Sequence, residues 1–69
     1  MFEDRIYINK GNDEYAVTLV VDGNMYTYII QVKNRDEEHF KTLHIPCKSF
    51  KEKQEAFDDA INIINQRND

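Results

Sequence analysis

The sequence predicts an α+β fold: a four-stranded antiparallel β-meander with one C-terminal α-helix packed on one face, in β-β-β-β-α order and two layers. Three observations predict it. Tyr15–Val21 and Met25–Val32 are rich in β-branched and aromatic residues and flank Asp22-Gly23-Asn24, which is hairpin composition. Residues 3–9 alternate ahead of them, with Ile6 and Ile8 on one side and Arg5 and Tyr7 on the other. Beyond Pro46, apolar residues recur at helical spacing to about Gln66.

Taken in order, residues 3–9 form the first strand and Lys10-Gly11-Asn12-Asp13 the turn after it. That loop places Ile8 opposite Tyr15 and Ile6 opposite Val17, and a slip of one residue would set polar against apolar. In the central hairpin a Gly23-Asn24 turn pairs Val21 with Tyr26, Leu19 with Tyr28, Val17 with Ile30 and Tyr15 with Val32. Glu14 then faces Lys33 as a cross-strand ion pair. The buried face therefore carries Tyr15, Val17, Leu19, Val21, Tyr26, Tyr28, Ile30 and Val32. Choosing Asp22-Gly23 as the turn shifts the pairing but not the faces.

The charged stretch Lys33–Glu38 reads as an exposed loop and His39–Ile45 as the fourth strand. Leu43 and Ile45 are assigned to the core, with Phe40, on the opposite side, competing for that role. Pro46 ends the strand because it has no amide to donate to a ladder. Ser49-Phe50-Lys51-Glu52 is a capping box, the signature of a helix start. Phe50, Phe57, Ile61 and Ile64 then form the helix stripe, flanked by Ala56, Ala60 and Ile63. Glu52, Glu55, Asp59, Asn62 and Gln66 point away, and residues 67–69 fray.

Composition narrows the function classes. A chain of 69 residues is a single domain, 1–69, with one modest core and little room for a deep catalytic pocket. The single cysteine, Cys47, excludes an internal disulfide and suits a reducing, cytoplasmic compartment. The acidic start Met-Phe-Glu-Asp-Arg is no signal peptide, and no apolar run approaches the length of a membrane span. The net charge of −4 disfavours non-specific binding to phosphate backbones.

No constellation with catalytic spacing emerges. His44-Ile-Pro-Cys47 with His39 offers at most three ligands, and the odd spacing of the histidines sends them to opposite faces of a strand. Cys47 lies just ahead of the expected helix start, but no third group orients His44 as its base. The two glycines, Gly11 and Gly23, lie in separate turns and make no phosphate loop. Glu37-Glu38 and Asp58-Asp59 are adjacent in sequence and do not face each other. The expectation is a non-enzymatic protein with no cofactor and no metal.

The surfaces that remain are three. The outward sheet face carries Tyr7, Thr18, Val20, Met25, Thr27 and Ile29, with Gln31 and Phe40 beside them. Its mixed apolar and threonine character suits a protein partner. The sheet edges offer strand addition or a homodimer. The aromatics of the same face suit single-stranded nucleic acid, though Arg5, Lys33 and Lys41 are scattered among acidic neighbours rather than forming a basic rim. The outer helix residues Glu52, Glu55, Asp58 and Asp59 form an acidic ridge, a candidate phosphate mimic diluted by Lys51 and Lys53.

In its size, slight acidity and sheet-then-helix order the chain resembles small inhibitors encoded by bacteriophages, including some anti-CRISPR proteins. The resemblance implies a stoichiometric inhibitor that blocks a host protein's surface. The sequence thus points to a small protein-binding module acting through a sheet face or edge. A weak single-strand binder or an acidic nucleic-acid mimic is the alternative.

Overall fold

The computed structural model describes residues 2–67. It consists of β1 (Phe2–Lys10), β2 (Asp13–Asp22), β3 (Met25–Asn34), β4 (Lys41–His44) and α1 (Lys53–Asn65). The strands form one antiparallel sheet in the order β1-β2-β3-β4, and the helix lies over β2 and β3.

Both hairpins turn on Gly-Asn. Lys10 pairs with Asp13 and Asp22 with Met25, leaving Gly11-Asn12 and Gly23-Asn24 as two-residue turns. Gly11 (φ 61°) and Gly23 (φ 63°) take the left-handed φ while neither asparagine does, the signature of type II′ turns. A side chain at either glycine would be strained whatever the space around it. These turns set the register. Ile8 faces Tyr15, Ile6 faces Val17, Val17 faces Ile30 and Leu19 faces Tyr28. Glu14 lies opposite Lys33, and their charged groups come to 3.6 Å.

The core forms on the side the alternation indicates. Tyr15, Val17, Leu19, Tyr28 and Ile30 are fully buried with Ala56, Ala60 and Ile64 of the helix. Val32, Tyr26, Ile6, Ile8, Leu43, Phe50, Phe57 and Ile63 pack around them. Alanines at the centre of the helix contact let its backbone approach the sheet closely.

Four expectations are corrected. The fourth strand is Lys41–His44, shorter than His39–Ile45, and a register shift lies opposite Ile30 and Gln31. That shift brings His44 across from Ile30 on the core side, and Ile45 falls past the strand end, 59% exposed. Second, no capping box forms. The Phe50 amide donates to the Tyr26 carbonyl and the Phe50 carbonyl accepts from the Tyr26 amide, both at 2.7 Å. Those bonds hold Phe50 extended on the edge of β3, so the helix starts at Lys53 with Glu52 as N-cap and no side-chain cap. Third, the helix stripe centres on Ala56, Ala60 and Ile64, with Ile61 half-buried outside the core cluster. Fourth, Asp59 turns toward the sheet. The expected fraying of Asn68 and Asp69 lies outside the described residues, whereas the Arg67 guanidinium sits 5.8 Å from the centre of the Tyr15 ring.

The far end of the helix uses a charge from elsewhere. No basic residue occupies its last turn, and its terminal carbonyls need donors. The Lys10 ammonium, at the end of the inner row of β1, donates to the carbonyls of Ile64 (3.1 Å) and Arg67. A cation at a helix C-terminus opposes the macrodipole there. Lys10→Met keeps the stem and removes the charge. It is expected to lower stability by about 1 kcal/mol, read by denaturant unfolding.

Candidate docking surface and the cleft beside the helix

The outer sheet face divides into two halves. In the first, the loop after β3 is tied down locally. The Arg35 amide donates to the Asn12 carbonyl (3.0 Å), and the Asp36 amide donates to the Asn34 side chain (3.2 Å). The Glu37 carboxylate accepts from the Asn34 amide (2.8 Å) and meets the Lys41 ammonium at 3.0 Å. The Asn34 amide and then Lys41 hold that carboxyl below the usual carboxylate range, so it is charged at neutral pH. The fixed loop delivers Phe40 to the outer side of the sheet. Its ring centre lies 6.3 Å from that of Tyr7, with the Lys33 ammonium 5.6 Å from its centre. Ala16, the partner of Tyr7 on β2, is fully buried on this helix-free side. In this half Phe40 and Tyr7 pack ring beside ring, and Tyr7 keeps more than half of its surface exposed.

The second half holds smaller side chains. Val20 and Thr27 are paired across β2 and β3, Ile29 is paired with Thr18, and Met25 with Asp22. Val20, Met25, Thr27 and Ile29 are all half-exposed. The Thr27 hydroxyl reaches the Lys48 carbonyl at 3.3 Å, which ties the strand-to-helix segment to the sheet. Thr18 differs from its neighbours. It is only 4% exposed, and its hydroxyl accepts from Arg5 Nε at 2.8 Å. Thr18 therefore anchors Arg5 and presents nothing to a partner. Tyr7, 57% exposed, stands at the β1 edge away from the second half.

The acidic ridge loses a member for the reason given by Asp59. The Tyr28 hydroxyl donates to Asp59 Oδ2 at 2.5 Å, and the Lys48 ammonium approaches Oδ1 at 3.7 Å. Burial first, then the hydrogen bond and charge of Asp59, push the Tyr28 phenol well above its ordinary pKa. Glu52, Glu55 and Asp58 remain on the solvent side of the helix.

Asp59 also lines a shallow cleft of about 440 Å³ with His44, Pro46, Cys47, Lys48, Asn62, Ile63 and Gln66. Sequence reasoning missed this juxtaposition, because it depends on the shifted register that turns His44 inward. The imidazole sits 6.2 Å from the Tyr28 ring, centre to centre, and Cys47 is exposed. Among the described residues no hydrogen bond joins His44 to Cys47, and no cluster of three or more His, Cys, Asp or Glu residues is arranged to hold a metal. The Tyr28–Asp59 pair acts as a clamp between sheet and helix. A phenol with a raised pKa, already donating to a carboxylate, holds its proton at neutral pH.

Among the described residues no helix is long and apolar enough to cross a membrane. No family model matches the chain, and neither the curated proteins nor the solved structures contain a match to it.

Proposed function

We propose that this chain is a small non-enzymatic protein-binding module whose docking surface is the half-exposed patch of Val20, Met25, Thr27 and Ile29. The observation that carries the reading is the asymmetry of the outer face. The half near Tyr7 holds a Tyr7–Phe40 ring pair, while the half near Val20 keeps three apolar side chains partly exposed on the helix-free side. Apolar side chains interleaved with a threonine, on a rigid hairpin, give a partner area to bury and little conformational entropy to lose. A stoichiometric inhibitor that blocks a host protein's surface would work in this way.

The nucleic-acid readings have less behind them. A single-strand platform would use Tyr7 and Phe40, but Lys33 faces Glu14 and Arg5 is held by Thr18. Phosphate mimicry would need Asp59, which is engaged by Tyr28 and Lys48.

Val20→Lys and Ile29→Lys place a charge in the patch without touching the helix-side core. Each is expected to leave the unfolding midpoint nearly unchanged and to weaken partner binding by at least about tenfold, the scale of a hot-spot residue. Binding unaltered in both variants would remove this patch as the docking surface.

A further inference from the structure

The outer edge of β1 has a pattern that a second copy of the chain can complete. In a two-residue hairpin the residues flanking the turn form a hydrogen-bonded pair, and such pairs then alternate along the ladder. Lys10 with Asp13 is such a pair, so Ile8 with Tyr15 and Ile6 with Val17 are also hydrogen-bonded. The amides and carbonyls of Arg5, Tyr7 and Asn9 therefore point outward. The same alternation on β3 directs Tyr26 away from β2, and Tyr26 is indeed the residue bonded in both directions to Phe50.

We propose that two copies of the chain dimerise through β1, antiparallel about a two-fold axis at Tyr7. This inference does not rest on the Val20–Ile29 patch being the docking surface. In this register Tyr7 bonds to Tyr7 and Arg5 to Asn9, giving about six backbone hydrogen bonds between strands whose outward groups all match. On the helix side Ile6 of each copy falls beside Ile8 of the other. Both isoleucines pack on the core yet remain half-exposed, because the helix covers β2 and β3 rather than β1. A two-fold perpendicular to the sheet keeps both helices on one side, so the four isoleucines close the trough between them.

Moving the axis to Ile8 would set Lys10 against Ile6. Moving it to Ile6 would set Ile8 against the strand start, where the irregularity between Phe2 and Arg5 breaks the ladder. Tyr7 is the centre that sets Ile6 beside Ile8 within the regular stretch. The irregularity between Phe2 and Arg5 bends the strand start and limits regular pairing to residues 5–9.

Two measurements test this. Light scattering on the intact chain across a concentration series is expected to rise toward twice the 8.2 kDa chain mass. The second uses a Cys47→Ser background carrying Tyr7→Cys, Arg5→Cys or Asn9→Cys under mild oxidation. In the proposed register the position-7 Cα atoms lie about 5.5 Å apart and can be bridged, whereas position 5 or 9 is about 14 Å from its own copy and cannot. Tyr7→Cys should cross-link at least about tenfold faster than the other two, and a mixture of Arg5→Cys with Asn9→Cys chains should cross-link as Tyr7→Cys does. A single-chain mass at millimolar concentration, or equal cross-linking at all three positions, would overturn the proposal.

Discussion

A chain truncated after Pro46 is expected to be unfolded. The deletion removes Phe50, Ala56, Phe57, Ala60, Ile63 and Ile64 from the inner face, leaving Tyr15, Leu19, Tyr28 and Ile30 against water. Burying each large apolar helix residue is worth roughly 1.5–3 kcal/mol. Their sum is comparable with the whole stability of a small domain, about 5 kcal/mol at the lower end of the usual range. The truncation also removes the Phe50 bridge that extends the β3 edge beyond the short fourth strand. Near-ultraviolet circular dichroism and amide dispersion in NMR should both collapse. A fragment that still unfolds cooperatively would show that the sheet carries its own core, contrary to the packing described above.

Tyr28→Phe is expected to cost about 1.5–3 kcal/mol at neutral pH, the usual worth of a hydrogen bond to a charged group. The ring stays in place, stacked 6.2 Å from Phe50, so the loss reports the hydroxyl and its bond to Asp59. The variant also changes the alkaline limb, with a definite sign. Because the folded phenol has a raised pKa, its contribution is complete below the ordinary tyrosine value of about 10 and is lost as pH rises above it. Wild-type stability should therefore fall above about pH 10 more steeply than that of the phenylalanine variant. Urea midpoints of both proteins from pH 7 to 11 provide the check. Parallel curves would mean that Tyr28 ionises as freely in the folded chain as in the unfolded one.

Most of the fold is legible in the residues because two kinds of local information agree. Gly-Asn at 11–12 and at 23–24 selects tight turns, and the alternation of Ile6 and Ile8, Tyr15 to Val21 and Tyr26 to Val32 admits one register with apolar opposite apolar. The C-terminal third is harder to read. Ser49 to Glu52 has every residue of a capping box, yet the unfilled edge of β3 competes for the Phe50 backbone and wins with two bonds. A long-range partner of that kind leaves no trace in local spacing. The shift beside Gln31 is equally invisible, and from it follow the inward turn of His44 and the exposure of Ile45. Asp59 reads as a solvent-facing helix residue until Tyr28, thirty-one positions away, supplies a donor.

The candidate surface follows the same division. Alternation alone identifies Val20, Met25, Thr27 and Ile29 as pointing away from the helix. It cannot separate them from Thr18, which Arg5 closes over, or show that Phe40 returns to pack beside Tyr7.

The central claim is that one side of the hairpin serves folding and the exposed half of the other serves a protein partner. The most direct test is capture from the native host with three immobilised baits in parallel: the wild-type chain, Val20→Lys/Ile29→Lys, and Glu55→Lys on the solvent side of the helix. The account predicts that a protein held by the wild type and by the Glu55→Lys bait is lost from the doubly substituted sheet-face bait. Retention by the sheet-face bait together with loss from the Glu55→Lys bait would contradict it and transfer the binding surface to the helix.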